Sequence, residues 1–372
     1  MPVATGSPFT AEELEPTLRP LLEASLLPSR AYTDEAVADW EARHIFLGGW
    51  ICIGHVSAFA ERGRYLTAEV AGESMLFVGE RGFYNVCRHR GSRLQTEREG
   101  TTRRLQCPYH AWSYGFDGRL ENAPHTEQLQ GFDKASYGLR EIRTETLGGL
   151  LFADASGQAP PLAEHVGSLA EELDRYRTAE LERAARIDYD VKANWKAIVE
   201  NYSECLHCPG VHPELNRLSH YLTGHDYEGP GAWCGGSMTL NNNVATMSTN
   251  GCATRPGIVG VDPRKVLYFA IFPNCLISLH PDYVMLHTLW PRGAGRTEVV
   301  CEWFFEPETM AREDFDHTDA VEFWDLVNRQ DWRVCELSQL GLGSAGYTSG
   351  RYTDVESTVH AFDRMVAERY LR

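Results

Sequence analysis

Cys87-Arg88-His89 and Cys107-Pro108-Tyr109-His110 decide how the chain is read, with residues 90–106 between them. Each short pair, C-x-H and C-x-x-H, puts one thiolate and one imidazole at the tip of a tight loop. Two such loops facing each other can hold a metal centre. One option is zinc, bound by Cys2His2 in a tetrahedron. The other is an iron–sulfur cluster in which two Cys hold one iron and two His hold the second. Zinc fingers usually keep both Cys in one loop and both His in the other. Here each loop gives one of each, which suits a cluster with an all-Cys iron and an all-His iron.

The wider stretches agree. They read Asn85-Val86-Cys87-Arg88-His89-Arg90-Gly91 and Cys107-Pro108-Tyr109-His110-Ala111-Trp112-Ser113-Tyr114, followed by Asp117-Gly118. In these residues the chain resembles the Rieske [2Fe–2S] domain of ring-hydroxylating and related Rieske non-haem iron oxygenases.

A second stretch, Asn194 to Pro213, contains Glu204-Cys205-Leu206-His207-Cys208-Pro209-Gly210-Val211-His212-Pro213. Through Leu206 it reads as a helix, which Pro209 and Gly210 should break. His207 and His212 are five apart, so a regular helix would not set them on one face, but the break can turn them towards each other. Two His and one distant carboxylate form the facial triad of a non-haem Fe(II) oxygenase. Taken alone, the pair reads as two surface histidines in a Pro-rich turn. A one-electron donor in the same chain reverses that, because an oxygen-activating iron consumes such electrons.

The carboxylate must come from elsewhere. A long helix, roughly Met310 to Leu340, carries Trp324, Val327 and Val334 on one face. Asp331 falls on that face, while Asp325, Arg329 and Glu336 fall on the polar side. An Asp on an apolar face is costly to bury unless it is paired or bound to metal. Asp331 is therefore the expected third ligand; the bland alternative is an Asp paired with an Arg.

Composition sets the frame. The chain has 372 residues, enough for two domains with sizeable cores. Its net charge of −17 argues against nucleic acid or an anionic membrane as partner. No apolar run approaches the ~20 residues of a membrane span. Ten scattered cysteines and an N-terminus without a signal pattern imply a reducing cytoplasm and no disulfide scaffold. Cys52, Cys275 and Cys301 lie in apolar runs and are expected in the core.

Taken in order, residues 1–44 read as a peripheral helical arm interrupted by Pro16 and Pro20. Residues 45–155 read as short strands punctuated by glycines, a small β-domain carrying the two loops. His55 is read as a polar residue on a strand, without a site role. Ser156 to Pro161 reads as a linker. Residues 162–372 open with a helix from Leu162 to Tyr176 and continue into strands at 185–191, 266–272, 276–280, 283–290 and 297–305. Residues 218–260, rich in Gly and Asn, read as a lid or pocket loop. The class is α+β.

The resemblance covers the chain from about Trp50 to its end, and Asn328-Arg329-Gln330-Asp331 resembles the family's pattern before its carboxylate ligand. It implies a Rieske β-domain followed by a helix-grip (START-like) catalytic domain with an antiparallel sheet and a long C-terminal helix. It implies a [2Fe–2S] cluster on Cys87, His89, Cys107 and His110, and a mononuclear Fe(II) on His207, His212 and Asp331. O2 is the implied co-substrate. Electrons come indirectly from NAD(P)H through a flavin and iron–sulfur reductase, in some systems with a ferredoxin. It also implies a homotrimer in which one subunit's cluster abuts the next subunit's iron, with Glu204 bridging His110 and His207. Many relatives have Asp at the bridge. Glu, with Glu204-Cys205-Leu206-His207-Cys208 and His212-Pro213-Glu214-Leu215, resembles the branch acting on glycine betaine, carnitine and similar quaternary ammonium compounds. Cys205 and Cys208 then become motif neighbours instead of a second metal site.

The resulting expectation is a Rieske monooxygenase that hydroxylates an N-methyl group, giving a hemiaminal that loses formaldehyde. The alternative is hydroxylation or cis-dihydroxylation of an aromatic or natural-product substrate. A bound quaternary ammonium should meet aromatic faces, and the candidates are Tyr202, Tyr268, Phe269, Trp290 and Trp303. A pure electron carrier would have no mononuclear iron, and a zinc-stapled binding protein would be colourless.

Overall fold

The computed structural model describes residues 6–372. They form two compact units: Phe46–Leu162, and a second that joins the N-terminal segment through Ile45 to Ala163–Arg372.

The first unit is built from ten strands: β1 (Trp50–His55), β2 (Arg64–Val70), β3 (Glu73–Val78), β4 (Arg81–Tyr84), β5 (Glu99–Thr101), β6 (Leu105–Gln106), β7 (Ser113–Tyr114), β8 (Leu120–Asn122), β9 (Glu141–Leu147) and β10 (Leu150–Asp154). Seven form an antiparallel sheet in the order β1-β10-β9-β4-β3-β2-β5, and β6-β7-β8 form a small second sheet. Leu76, Phe83, Leu105, Trp112 and Tyr114 share one core cluster with Cys87 and Cys107, so both loops are rooted in buried apolar surface. The stretch read as a linker is tightly held. The buried Asp154 carboxylate accepts from the N–H groups of Ser156, Gly157 and Ala159 and from the Ser156 hydroxyl.

The second unit holds β11 (Glu182–Val191), β12 (His225–Tyr227), β13 (Trp233–Thr239), β14 (Lys265–Ile271), β15 (Cys275–Leu279), β16 (Val284–Pro291) and β17 (Thr297–Phe305). They make one antiparallel sheet in the order β11-β17-β16-β15-β14-β13-β12. Every residue of β15 is buried, and all of β16 but its last. Such near-continuous burial needs cover on both faces. The long helix supplies part of it. Its Trp332 meets Tyr189 of β11 and His287 of β16, and its Trp324 meets Tyr268 of β14.

Several boundaries differ from the sequence reading. The long helix runs Thr318–Leu342, and the piece near Met310 is a separate short helix, Pro307–Met310. The opening helix is two, Leu162–Val166 and Leu169–Arg175, parted at Gly167 with φ +56°, where an added Cβ would meet the Pro230 carbonyl. The helix Ala11–Leu18 passes through Pro16 and ends before Pro20. The N-terminal segment is built into the second unit rather than lying on its periphery. Buried Tyr32 donates to Glu200 at 2.7 Å, and Glu41 accepts from the Lys196 ammonium at 2.5 Å and the Trp195 indole at 2.9 Å. A buried ammonium without that carboxylate would be strongly destabilising.

Candidate metal centres and substrate cavity

In the first unit the two Cys/His loops close in the same way. The Cys87 N–H bonds the Ser92 carbonyl and the Gly91 N–H bonds the Cys87 carbonyl. One loop over, the Cys107 N–H bonds the Trp112 carbonyl and the Ala111 N–H bonds the Cys107 carbonyl. Both closures need a left-handed residue four after the cysteine: Gly91 has φ +73° and Ala111 φ +56°. The result presents each His two or three residues past its Cys.

The rings of His89 and His110 lie 4.8 Å apart, and His89 stacks on Trp112 at 4.7 Å. Burial pushes the Cys87 thiol up. Burial does the same to Cys107, but the N–H groups of Tyr109 and His110 outweigh it and hold that thiol below its usual value. The Tyr114 hydroxyl lies 3.3 Å from Cys87 Sγ and accepts the Arg88 N–H at 3.0 Å. Nδ1 of His110 is buried with no hydrogen-bond partner, which fits a metal ligand.

The second centre is compact. His207, His212 and Asp331 offer ligand atoms all within 4.8 Å of one another. Asp331 Oδ1 lies 2.7 Å from His212 Nε2 and 3.3 Å from His207 Nε2. The far nitrogens are held by others: His207 Nδ1 by Glu204 at 2.5 Å and His212 Nδ1 by Gln330 at 2.7 Å. Donation from each Nδ1–H fixes the tautomer and leaves both Nε2 lone pairs aimed at one place. Burial works against a charged His207, yet its bonds to Asp331 and Glu204 raise it to about 9. Burial likewise works against the Asp331 carboxylate, and the two histidines outweigh it to hold its pKa below the usual value. Two carboxylates with two imidazoles, mostly buried, call for a cation, and the donor set fits iron(II).

The local chain explains this placement, although not by the expected break. Asn194 caps a helix, Trp195–Tyr202, that stops at Ser203 instead of running to Leu206. Glu204 then folds back, accepting from the N–H groups of Leu206 and His207. Pro209 does not end a helix; it lies in the first turn of a new one, Cys208–Val211, where its missing N–H costs nothing. His207 and His212 bracket that single turn, and Pro213 starts the next helix, Pro213–Leu218. Cys205 and Cys208 are joined by a disulfide, which corrects the expectation of reduced cysteines throughout; the turn brings their Cα atoms to 5.1 Å. The remaining cysteines of the described residues form no disulfide.

A cavity of about 290 Å³ opens onto this centre. Its walls include Tyr202, Tyr268, Trp324, Cys234, Gly235 and Met238, with His207, His212, Asp331 and Glu204 among the polar lining. The Tyr268 ring is 6.0 Å from Tyr202 and 6.3 Å from Trp324, each edge to face. Of the expected aromatics, Tyr202 and Tyr268 line the cavity, whereas Phe269, Trp290 and Trp303 are buried core. Sequence reading did not single out Trp324 for the cavity or Gln330 as a support. Trp324 lies seven residues before Asp331 on the same helical face, and Gln330 precedes it directly. Part of the segment read as a lid does line the cavity, through Tyr221, Leu222, Gly224, His225 and Asp226.

The family model described as Rieske [2Fe-2S] domain matches residues 49–133, and the one described as Ring hydroxylating alpha subunit (catalytic domain) matches residues 178–372. The chain is 30% identical over 365 residues to the glycine betaine monooxygenase oxygenase subunit of Pseudomonas aeruginosa, covering 88% of this chain and 84% of that one. It is 30% identical over 341 residues to the carnitine monooxygenase oxygenase subunit of Escherichia coli, covering 87% and 86%. The crystal structure of the quaternary ammonium Rieske monooxygenase CntA with an inhibitor superposes with a TM-score of 0.83 at 26% identity, covering 96% of this chain and 98% of that one.

Proposed function

The chain belongs to the Rieske ring-hydroxylating oxygenase family, and we propose that it is the oxygenase component of a monooxygenase acting on a quaternary ammonium compound. It is an oxidoreductase with a Rieske [2Fe–2S] cluster and a mononuclear iron as cofactors and O2 as co-substrate. When bound, these groups use two electrons and two protons per O2, so that one oxygen atom enters a C–H bond and the other leaves as water.

Cys87 and Cys107 would hold one iron of the cluster, His89 and His110 the other. His207, His212 and Asp331 would hold the mononuclear iron. Glu204 and Gln330 keep a proton on each histidine's Nδ1, so that both rings face the metal in the same tautomer. Tyr202, Tyr268 and Trp324 offer ring faces and edges to a bound ammonium. With an N-methyl substrate the product is a hemiaminal. It separates into formaldehyde, the demethylated amine and a proton. A separate NAD(P)H-dependent reductase and a homotrimer complete the proposal. In that assembly Glu204 would also accept from His110 of the partner subunit.

The observation that carries this reading is the His207–His212–Asp331 group opening into a small cavity walled by Tyr202, Tyr268 and Trp324. Metal content and EPR of anaerobically purified protein test it first. About three irons per chain, with a dithionite-reduced signal of a His-ligated cluster, are expected. Oxygen uptake should then follow addition of quaternary ammonium compounds. Zinc in a colourless sample, or uptake only with aromatic substrates, would reject the proposal.

A further inference from the structure

We propose that the cavity selects a cation that carries no carboxylate, such as a quaternary ammonium alcohol, amide or ester, over a zwitterionic betaine. This rests on the quaternary ammonium reading above and narrows it to a charge class.

The first observation is the charge of the lining. Among the described residues that line it there is no Lys or Arg, whereas four carboxylates are there: Glu204, Asp331, Asp226 and Asp354. Glu204 and Asp331 are engaged by the histidines. The other two are exposed at the solvent side. Asp226 accepts from the hydroxyls of Ser357 and Thr358 at the start of the C-terminal helix Ser357–Tyr370. Asp354 has no hydrogen bond or ion pair among the described residues. A substrate held with its ammonium end against Tyr202, Tyr268 and Trp324 has its other end in this same lining.

A betaine's carboxylate placed there would lose water without gaining a Lys or Arg partner, and it would meet two like charges. A carboxylate taken out of water needs several donors, and removing it leaves only the favourable attraction of Asp226 and Asp354 for the ammonium.

The second observation is independent of charge. Tyr268 is part of the cavity wall, and its hydroxyl is buried with no hydrogen-bond partner. A lone phenol satisfies one neutral oxygen, such as an alcohol or amide carbonyl, and its own oxygen can accept from an alcohol or amide in return. A carboxylate would have this one donor and could not donate back. Burial raises the Tyr268 phenol well above its usual range, so it stays protonated and able to donate.

The test uses the holoenzyme with its electron supply. Glycine betaine is compared with its amide, which has the same shape without the negative charge, and with choline. Oxygen uptake matched to product by mass spectrometry gives kcat/KM, and anaerobic calorimetry gives binding. The amide and choline should exceed glycine betaine by about tenfold or more in both, about 1.4 kcal/mol. Asp354→Lys should shift the betaine-to-amide ratio towards betaine by a similar factor. Asp354 is exposed, so the variant should fold, and an unchanged cluster visible spectrum and circular dichroism check that. Glycine betaine equalling its amide, or a ratio unmoved by Asp354→Lys, overturns the inference while leaving quaternary ammonium oxidation in place. Failure of all three compounds to support uptake, with an aromatic substrate active instead, overturns both.

Discussion

Cys87 to Ser92 and Cys107 to Trp112 each close within six residues, by backbone hydrogen bonds alone. His207, His212 and Asp331 do not: the third comes from a helix that begins more than a hundred residues after the second. The Rieske site is thus two prefabricated loops brought together, while the mononuclear site exists only when the long helix is packed on its sheet. Supports differ too. The cluster loops lean on main-chain groups and Tyr114, whereas each mononuclear histidine is oriented by a side chain, Glu204 or Gln330. A site made from side chains of separate elements depends on its supports more than one made from local backbone.

The largest expected effect separates the two centres outright. Asp331→Ala should remove the mononuclear iron and leave residual turnover below about 1%, beyond the 10–100-fold loss typical of deleting a supporting partner. The cluster's colour and EPR signal should persist, with iron falling from about three to about two per chain. Cys107→Ser should do the reverse, bleaching the protein while isolated catalytic-site iron still binds. If either variant loses both centres, the sites are not built independently, and the comparison fails.

A smaller loss should follow from Gln330→Ala. His212 would keep Asp331 on Nε2 but lose the acceptor at Nδ1. Iron affinity, read by competition with a chelator, should fall 10–100-fold, with the reduced cluster signal unchanged. An affinity within twofold of the parent would mean that packing alone orients the ring.

The same contrast explains what could be read in the sequence. The C-x-H and C-x-x-H pairs were legible because their geometry is local, and so were the short, glycine-punctuated strands behind them. His207 and His212 were legible as a pair, but the reason given for their meeting was wrong. Pro209 was read as a breaker, yet it begins the turn that joins them, since a proline in a first helical turn leaves no bond unmade. Asp331 was visible as a carboxylate on an apolar face. Gln330 was not, because a Gln beside that face looks like any partly exposed polar residue. Asp226 and Asp354 carry no pattern at all; only tertiary folding brings the strand β12 and the loop before the last helix to one cavity. The disulfide of Cys205 and Cys208 was missed because cysteine statistics speak for the whole chain and not for one tight turn.

Acid should also part the two units. Burial lowers His165 and His287 of the catalytic unit to about 4. Unfolded, each would titrate near 6.5. Their folded values lie below that, so the stability they contribute is complete above pH 6.5 and is lost as pH falls to about 4. The slope is about 1.4 kcal/mol per pH unit per histidine inside that window. Asp282, raised to about 6 by burial despite Arg255, has the opposite sign, because its folded form holds a proton more tightly. It offsets part of one histidine. The urea midpoint read by tryptophan fluorescence, which the catalytic unit dominates with seven of the nine tryptophans, should therefore fall from pH 7.5 to pH 5.0, and the midpoint read by the cluster's visible absorbance should move less. His165→Asn should flatten the fluorescence slope. Equal movement of both signals would show that the units unfold together.

The finest test lies at Tyr114. Its hydroxyl is 3.3 Å from Cys87 Sγ and receives the Arg88 N–H, which turns its own proton towards the sulfur. Reduction adds negative charge to the cluster and its thiolates, so an O–H donor stabilises the reduced form more than the oxidised one. Tyr114→Phe should then lower the reduction potential. A net hydrogen bond of about 1 kcal/mol corresponds to about 40 mV for one electron. Voltammetry of the parent and the variant reads this directly. The ring itself is fully buried in the loop core, so Phe keeps the packing and the cluster should still assemble. A downward shift of tens of millivolts with unchanged iron content assigns the tuning to this one bond. An unchanged potential would mean that the backbone N–H groups at the loop tips already set it, making the local closure of the two loops responsible for the electronics as well as the geometry.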